Sequence, residues 1–178
     1  MNCEMVVLTR TPDTIDKEEI HKIIRGISRR AAISYDYPDG HIEYDEIEDP
    51  LPFDKEAAVI EIADEDFALW YRDLSEEMDS YEGKTVHVKG LVARDNKLGK
   101  NGVVIGRHIM TCCADDIQFC GLPCKWPGSK NLKSREWVMV EAKIAAERHS
   151  LYKGDLGPVL TASRVTQAPP AVEEVCTF

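Results

Sequence analysis

Two adjacent cysteines, Cys112 and Cys113, end the apolar stretch GVVIGRHIMTCC and are followed almost at once by two aspartates. A second pair, Cys120 and Cys124 in the stretch CGLPC, has a spacing that zinc sites use. Thiolate sulfur and imidazole nitrogen are the ligands that zinc prefers. This short segment therefore contains enough ligands for one closed zinc site. The candidate ligands are His108, Cys112, Cys113, Cys120 and Cys124.

The same cysteines have two other interpretations. Neighbouring side chains of a strand point to opposite faces, so Cys112 and Cys113 can face one ion only if the strand ends or bulges between them. Cysteines also fill small barrels as ordinary small hydrophobic residues, and two nearby thiols can form a redox pair. The residues alone leave the metal site, core packing and the redox pair open.

Arg107 directly precedes this segment and has two possible roles. Its guanidinium can form an ion pair with Asp115 or Asp116, which would fix the turn after the strand. Alternatively, it can present a planar cation to an anionic ligand. A catalytic role has less support, because His108 and Cys112 lack a third group to orient them and an oxyanion-stabilising element. We therefore expect no enzymatic activity.

Composition limits the class of protein. The chain has 178 residues and a net charge of -10, and it is long enough to bury a core. It has neither an apolar run of membrane-spanning length nor the pattern of a signal peptide. We expect a cytoplasmic protein whose six cysteines are free thiols or metal ligands rather than disulfides.

Charge is distributed unevenly along the chain. Residues 35–82 contain 18 acidic and 2 basic side chains, whereas residues 84–165 contain 7 acidic and 14 basic ones. The two halves can neutralise one another in the folded chain, or the basic half can remain exposed for an anionic partner. The sequence does not choose between these outcomes.

The N-terminal part predicts one helix and an acidic linker. A start signal at Pro12 and either Asp13 or Thr14 precedes isoleucines at helical spacing. These isoleucines are Ile20, Ile23, Ile24 and Ile27. Residues 35–55 are rich in proline and acidic residues, which predicts a linker with at most a short hairpin arm. We expect residues 1–55 to form this extension and residues 56–178 to form the main domain.

The main domain predicts a short strand, one helix and a barrel. The helix is capped near Asp64 and has an apolar face typical of core packing. Alternating residues after Gly83 predict five strands, with Gly90 interrupting the first as at a bulge or bend. The segment KWPGSKNLKSR is too broken for a substantial helix. The predicted fold is α+β, mainly β, with a five-stranded barrel of the oligonucleotide/oligosaccharide-binding (OB) type and an N-terminal helical and acidic extension.

The stretches YEGKTVHVKGLVAR, GRHIMTCCADD, EWVMVEAKI and GPVLTASRV together resemble the C-terminal soluble domain of the YcgQ-like bacterial proteins. The resemblance covers roughly residues 56–178, and its motif corresponds to Arg107, Cys112, Cys113 and Asp116. Family members are described as subunits of a two-component membrane permease complex. The resemblance therefore implies an accessory domain whose partner is a separately encoded membrane permease.

Three classes of function remain open. The first is a ligand- or metal-sensing accessory domain, with zinc as the candidate metal. The second is a nucleic-acid-binding barrel, suggested by Trp126 in a basic loop; the basic residues of that loop are Lys125, Lys130, Lys133 and Arg135. The third is a structural interaction module without a metal. The acidic segment and the scarcity of aromatic residues on the barrel strands place nucleic acid below the first class.

Overall fold

The computed structural model describes residues 5–28, 31–47, 50–94, 102–110 and 114–177. Contacts divide the chain into two compact units, Met1–Pro50 and Leu51–Phe178. The sequence-based boundary between residues 55 and 56 thus falls inside the second unit. Within the described part of the chain, no helix has the length and apolar character needed to cross a membrane.

The first unit is a three-stranded sheet with one helix. Its elements are β1 (Met5–Thr9), α1 (Lys17–Ile27), β2 (Ala32–Asp36) and β3 (Ile42–Tyr44). β1 pairs with β2 in parallel, and β3 pairs with β2 antiparallel. The Asp16 side chain caps α1 by accepting a hydrogen bond from the Glu19 N–H at 3.0 Å, so the helix begins three residues after the latest predicted start signal. Buried Ile24, Ile33 and Tyr35 form the core of the unit.

The predicted acidic linker therefore begins with ordered structure. The hairpin arm is present, but its first strand also pairs with β1, which the sequence did not predict. These strands are not evident in the sequence, because prolines and carboxylates flank the short apolar runs that form them. Alternate residues of those runs face α1.

The second unit contains the predicted barrel. Its elements are β4 (Val59–Glu61), α2 (Phe67–Glu76), β5 (Thr85–Ala93), β6 (Val103–Ile109), β7 (Gln118–Lys125), β8 (Trp137–Arg148), β9 (Leu156–Gln167) and β10 (Val175–Cys176). Strands β5 to β9 pair in the order β5-β6-β7-β9-β8, and β8 returns to β5 to close the barrel. Only β7 and β9 pair in parallel within it. This arrangement confirms the mainly β class and the OB-like barrel.

Gly90 does not interrupt the alternation of β5, contrary to the prediction. Buried and half-buried residues alternate along the whole strand, and Gly90 takes one of the inward positions. A Cβ there would come within 2.8 Å of Ile105 Cγ2, so the glycine permits a close approach of β6. The irregularity lies elsewhere, as a register shift between Glu141 and Ala142 of β8.

Helix α2 packs into the barrel core although it precedes every barrel strand. Phe67, Trp70 and Leu74 are buried in the same hydrophobic cluster as residues of all five barrel strands. Asp66 rather than Asp64 precedes the helix, without a capping side-chain bond. The connection between β7 and β8, whose residues are all described, contains only the 3-10 turn Ser129–Asn131, as predicted. The helical contribution to the barrel core therefore comes from α2 and from Tyr81 of the 3-10 turn Met78–Tyr81 that follows it.

Candidate functional site

The pairing of β6 with β7 determines which predicted ligands share a face. Arg107 lies opposite Cys120, and Val103 lies opposite Cys124, with all four side chains on the inward face. His108 points the other way and makes an edge-to-face contact with a phenylalanine at a ring distance of 5.5 Å. The imidazole of His108 is therefore on the opposite face of the strand pair from the two thiols.

Cys120 and Cys124 share a face but lie far apart along β7. Four residues of extended strand span about 13 Å, whereas two sulfurs bound to one zinc at about 2.3 Å each lie within about 4–5 Å of one another. These two thiols therefore cannot bind one ion together, and the zinc site cannot form as predicted. Across the residues with described placement, no group of three or more His, Cys, Asp or Glu side chains could hold a metal ion. Cys112 and Cys113 lie outside the described residues.

The described thiols are held in their neutral form. Burial raises the pKa of Cys124 to about 12 and that of Cys176 to about 11, and it also raises the pKa of Cys120. Because the thiolate is the nucleophile and the metal ligand, these side chains are unreactive at neutral pH unless a bound cation displaces the proton. Cys124 and Cys176 thus match the core-packing interpretation.

Arg107 is a buried cation that bonds to backbone. Its side chain donates hydrogen bonds to the carbonyl of Asp64 at 2.5 Å and to the carbonyl of Glu173. The guanidinium also lies 5.8 Å from the ring centre of Phe67 and 5.5 Å from that of Trp137. At 1% exposure, it is not presented to an anionic ligand. It joins the segment before α2 and the C-terminal tail to β6.

The predicted ion pair of Arg107 with Asp115 or Asp116 is not among the contacts of the described residues. Both aspartates belong to the 3-10 turn Ala114–Asp116. Asp115 is exposed, and Asp116 is half-buried. The backbone carbonyls that replace these carboxylates occur at every position of a chain, so no sequence pattern could have indicated them.

Two of the predicted site residues, Asp116 and Cys120, meet in a cavity of about 310 Å³ beside α2. We call it the α2 cavity. It is lined by Tyr71, Arg72, Ser75, Glu76, Ile109, Asp116, Gln118 and Cys120. Two of the lining residues stand on either side of residues 111–113 in the sequence: Ile109 precedes them and Asp116 follows them. Of the two described motif residues, Arg107 and Asp116, only Asp116 lines this cavity.

The α2 cavity combines a thiol, a phenol and carboxylates. Burial raises the pKa of Tyr71, and the nearby Cys120 thiol adds to this effect. The Ser75 hydroxyl donates to the Tyr71 carbonyl at 2.8 Å, so this polar group is already satisfied. The sequence did not indicate Tyr71 or Glu76 as site residues, because the apolar face of α2 is typical of core packing. The lining contains sulfur and carboxylate oxygen, which are possible metal ligands, beside the guanidinium of Arg72.

Cys124 and Trp126 lie at a different place, a cavity of about 350 Å³ that we call the tryptophan cavity. It is lined by Gly102, Val103, Pro123, Cys124, Lys125, Trp126, Pro127, Ser129 and His149. Lys125 forms an ion pair with Glu147, which neutralises part of the basic loop. The structure thus places four of the predicted site residues in two separate cavities and buries Arg107.

Comparison with known proteins identifies the family. The UPF0703 protein YcgQ of Bacillus subtilis (strain 168) is 23% identical over 97 residues, which are 54% of this chain and 34% of the relative. The matched part thus spans about a third of that relative's length. A model of the DUF1980 C-terminal domain matches residues 41–174, which include both cavities and Arg107. The chain belongs to the DUF1980 C-terminal domain family, as the resemblance to YcgQ-like proteins predicts.

Proposed function

We propose that this chain is a non-catalytic accessory domain that senses a ligand in the α2 cavity for a separately encoded membrane permease. The observation that carries the proposal is the meeting of Asp116 and Cys120 in one cavity. The permease partner is supported by the family resemblance alone. The proposal therefore has two parts, a ligand and a partner, which are tested separately.

A sensing role fits the chemistry of the α2 cavity better than catalysis does. The Cys120 thiol has a raised pKa, so it is a poor nucleophile at neutral pH. The imidazole of His108 is on the opposite face of the strand pair and cannot take the proton of Cys120. These groups therefore support ligand binding rather than covalent catalysis.

Zinc is the candidate ligand. The Cys120 sulfur and the Asp116 carboxylate line the same cavity, and zinc accepts both donor types. Because no three described side chains could hold a metal ion together, the site needs further ligands, for which Cys112 and Cys113 are the candidates. Binding would displace the proton of the Cys120 thiol, because a cation lowers the pKa of a thiol that it contacts. Cys124 is on the same strand face but lines the other cavity, so it takes no part in this site.

The metal part is tested by zinc content and by competition titration of protein purified without chelator. The variant is Cys120→Ser, and Cys124→Ser is the matched control because it changes an inward thiol of the same strand. We expect the wild type and Cys124→Ser to hold about one zinc ion per chain, and Cys120→Ser to lose it. Equal zinc in all three proteins, or none in the wild type, would contradict the metal part.

The partner part is tested by fractionating cells of the native host. If a membrane permease binds this chain, part of the chain sediments with membranes and remains bound to that permease in mild detergent. Deleting the permease gene then releases the chain from the membrane fraction. A distribution that is the same with and without the permease would contradict the partner and would leave the zinc result unaffected.

A nucleic-acid-binding role is the alternative, favoured by exposed Lys130, Lys133 and Arg135 near Trp126. Against it, the acidic half already pairs with two barrel lysines, Lys84 with Glu56 and Lys89 with Asp64. We expect single-stranded DNA to bind only in the non-specific range, on the order of 10⁻⁴ to 10⁻⁶ M, and to dissociate steeply with salt. Tighter binding at physiological salt would favour the alternative.

A further inference from the structure

We propose that the tryptophan cavity binds one small sugar-sized ring that carries an anionic group. This site is separate from the α2 cavity and does not depend on zinc. The proposal rests on an aromatic wall, two polar side chains that line the cavity and a lining whose described residues include no carboxylate.

The aromatic wall is the ring of Trp126, which is fixed in place by Gly128. A Cβ at Gly128 would come within 2.5 Å of the indole ring, so the ring lies directly on the glycine backbone. The indole remains half-exposed and lines the cavity together with Pro123 and Pro127. Small-molecule sites are typically lined by such apolar and aromatic groups with a few placed polar ones. The wall therefore suits the C–H face of a ring.

Ser129 supplies the first polar group. The residue is only 2% exposed and lines the cavity. A serine hydroxyl can donate one hydrogen bond and accept others. A ligand oxygen in the cavity would therefore find a donor there.

His149 supplies the second polar group. Its Nδ1 accepts a hydrogen bond from the backbone N–H of Leu151 at 3.2 Å. In the neutral ring, the proton then resides on Nε2, which can donate to a ligand. Because Ser129 can also donate, the cavity favours a ligand rich in acceptor oxygens.

Positive charge lies behind this wall. The guanidinium of Arg94 donates hydrogen bonds to the carbonyls of Ser129 and Leu132. The two bonds to the Leu132 carbonyl measure 3.0 and 2.7 Å. Within the described part of the chain, Arg94 has no carboxylate partner, whereas Lys125 shares its charge with Glu147. Arg94 does not itself line the cavity, but no described lining residue carries a carboxylate. The nearby positive charge therefore favours an anion over a neutral compound.

The volume limits the ligand to a single ring. At about 350 Å³, the cavity is near the lower end of the range for small-molecule sites, about 300–1,000 Å³. Trp126 is the one aromatic side chain besides His149 in the lining, so there is no track on which successive bases could stack. A sugar phosphate or a sugar acid satisfies the size, the oxygen content and the charge.

The test is calorimetric titration of the full chain with glucose 6-phosphate and with glucuronate, and glucose serves as the neutral probe. We expect saturable one-to-one binding of at least one anionic probe and about tenfold weaker binding of glucose. Ser129→Ala should weaken binding of the anionic probe about fivefold, the effect of one hydrogen bond. Trp126→Ala should weaken it more than Trp126→Phe, which keeps an aromatic wall.

Ser75→Ala is the matched control, because it removes a hydroxyl from the α2 cavity. It should leave sugar binding unchanged, and circular dichroism establishes that each variant is folded. The proposal is overturned if neither anionic probe binds, or if Ser129→Ala and Ser75→Ala weaken binding equally. Tighter binding of single-stranded DNA than of both anionic probes would also overturn it.

Discussion

The side chain of Arg107 donates a hydrogen bond to the backbone carbonyl of Glu173, 66 residues later in the chain. Its other hydrogen bond goes to Asp64, just before α2. We expect Arg107→Met to lower the free energy of unfolding by about 2–4 kcal/mol, because two buried carbonyls lose a charged donor. Urea denaturation measures this change.

The matched control for Arg107→Met is Arg164→Met, which removes an exposed arginine. Arg164 pairs with Glu141 at the surface, so the change should stay within about 0.5 kcal/mol. Truncating the chain after Pro170 removes Glu173. The loss of unfolding free energy in a chain with both changes should be smaller than the sum of the two separate losses. Full additivity would mean that Arg107 does not hold the tail.

Cys124 should make the protein less stable in alkali. Its pKa is about 12 in the folded chain and about 9.0 ordinarily, so between these values the folded state holds a proton that the unfolded state loses. Stability that is fully present below pH 9 therefore falls as the pH rises towards 12, by about 1.4 kcal/mol per pH unit for this group. Urea denaturation under reducing conditions at pH 8, 9.5 and 10.5 measures the slope.

Cys124→Ala is the comparison, because it removes the thiol from a position that is 5% exposed. The variant should be less stable at pH 8, since it leaves a small cavity. Its stability should nevertheless decline less steeply with pH than that of the wild type. Parallel slopes would show that the Cys124 thiol does not titrate in this window.

His41 in the first unit should titrate above its ordinary pKa of 6.5. Hydrogen bonds to Asp39, at 2.9 Å, and to Glu43, at 3.3 Å, favour the protonated ring and raise the pKa. The resulting stabilisation is present below pH 6.5 and is lost as the pH rises through the raised pKa. NMR titration should show the midpoint falling in Asp39→Asn and, less, in Glu43→Gln. A His41 pKa that neither substitution lowers would contradict this explanation of the raised pKa.

Gly106 should tolerate alanine far less well than Gly90. A Cβ at Gly106 would overlap the Cys120 carbonyl oxygen and come within 2.5 Å of Gly121 Cα, and both are backbone atoms that cannot move aside. At Gly90, the nearest atom is the end of the Ile105 side chain at 2.8 Å. We expect losses of more than about 3 kcal/mol for Gly106→Ala and about 1–2 kcal/mol for Gly90→Ala. Similar midpoints in urea would contradict the ranking.

The barrel could be predicted because β5 and β8 are long and alternate clearly between inward and outward residues. In β8, for example, Val138, Val140, Ala142 and Ile144 all face inward as the alternation indicates. β1 and β10 were not predicted, since they have five and two residues and their pairing partners lie far away in sequence. Short strands are defined by tertiary contacts more than by local pattern.

The site was predicted less well than the fold. The spacing of CGLPC is compatible with zinc in a loop, but an extended strand separates its two sulfurs by about 13 Å. The sequence predicts this segment as a short strand broken at Pro123, whereas the strand runs through Pro123 to Lys125 and keeps the two sulfurs apart. Asp116 and Cys120 meet through the packing of α2, which no spacing within residues 107–124 could indicate.

The position of α2 ahead of the barrel has a consequence for synthesis on the ribosome. The helix emerges before any of the five strands whose core it shares, and Leu160 of the same hydrophobic cluster belongs to the last of them. Phe67, Trp70 and Leu74 therefore stay uncovered while roughly ninety further residues are translated, several seconds at about 5–20 residues per second. The nascent chain offers an aromatic helix face to chaperones throughout this interval.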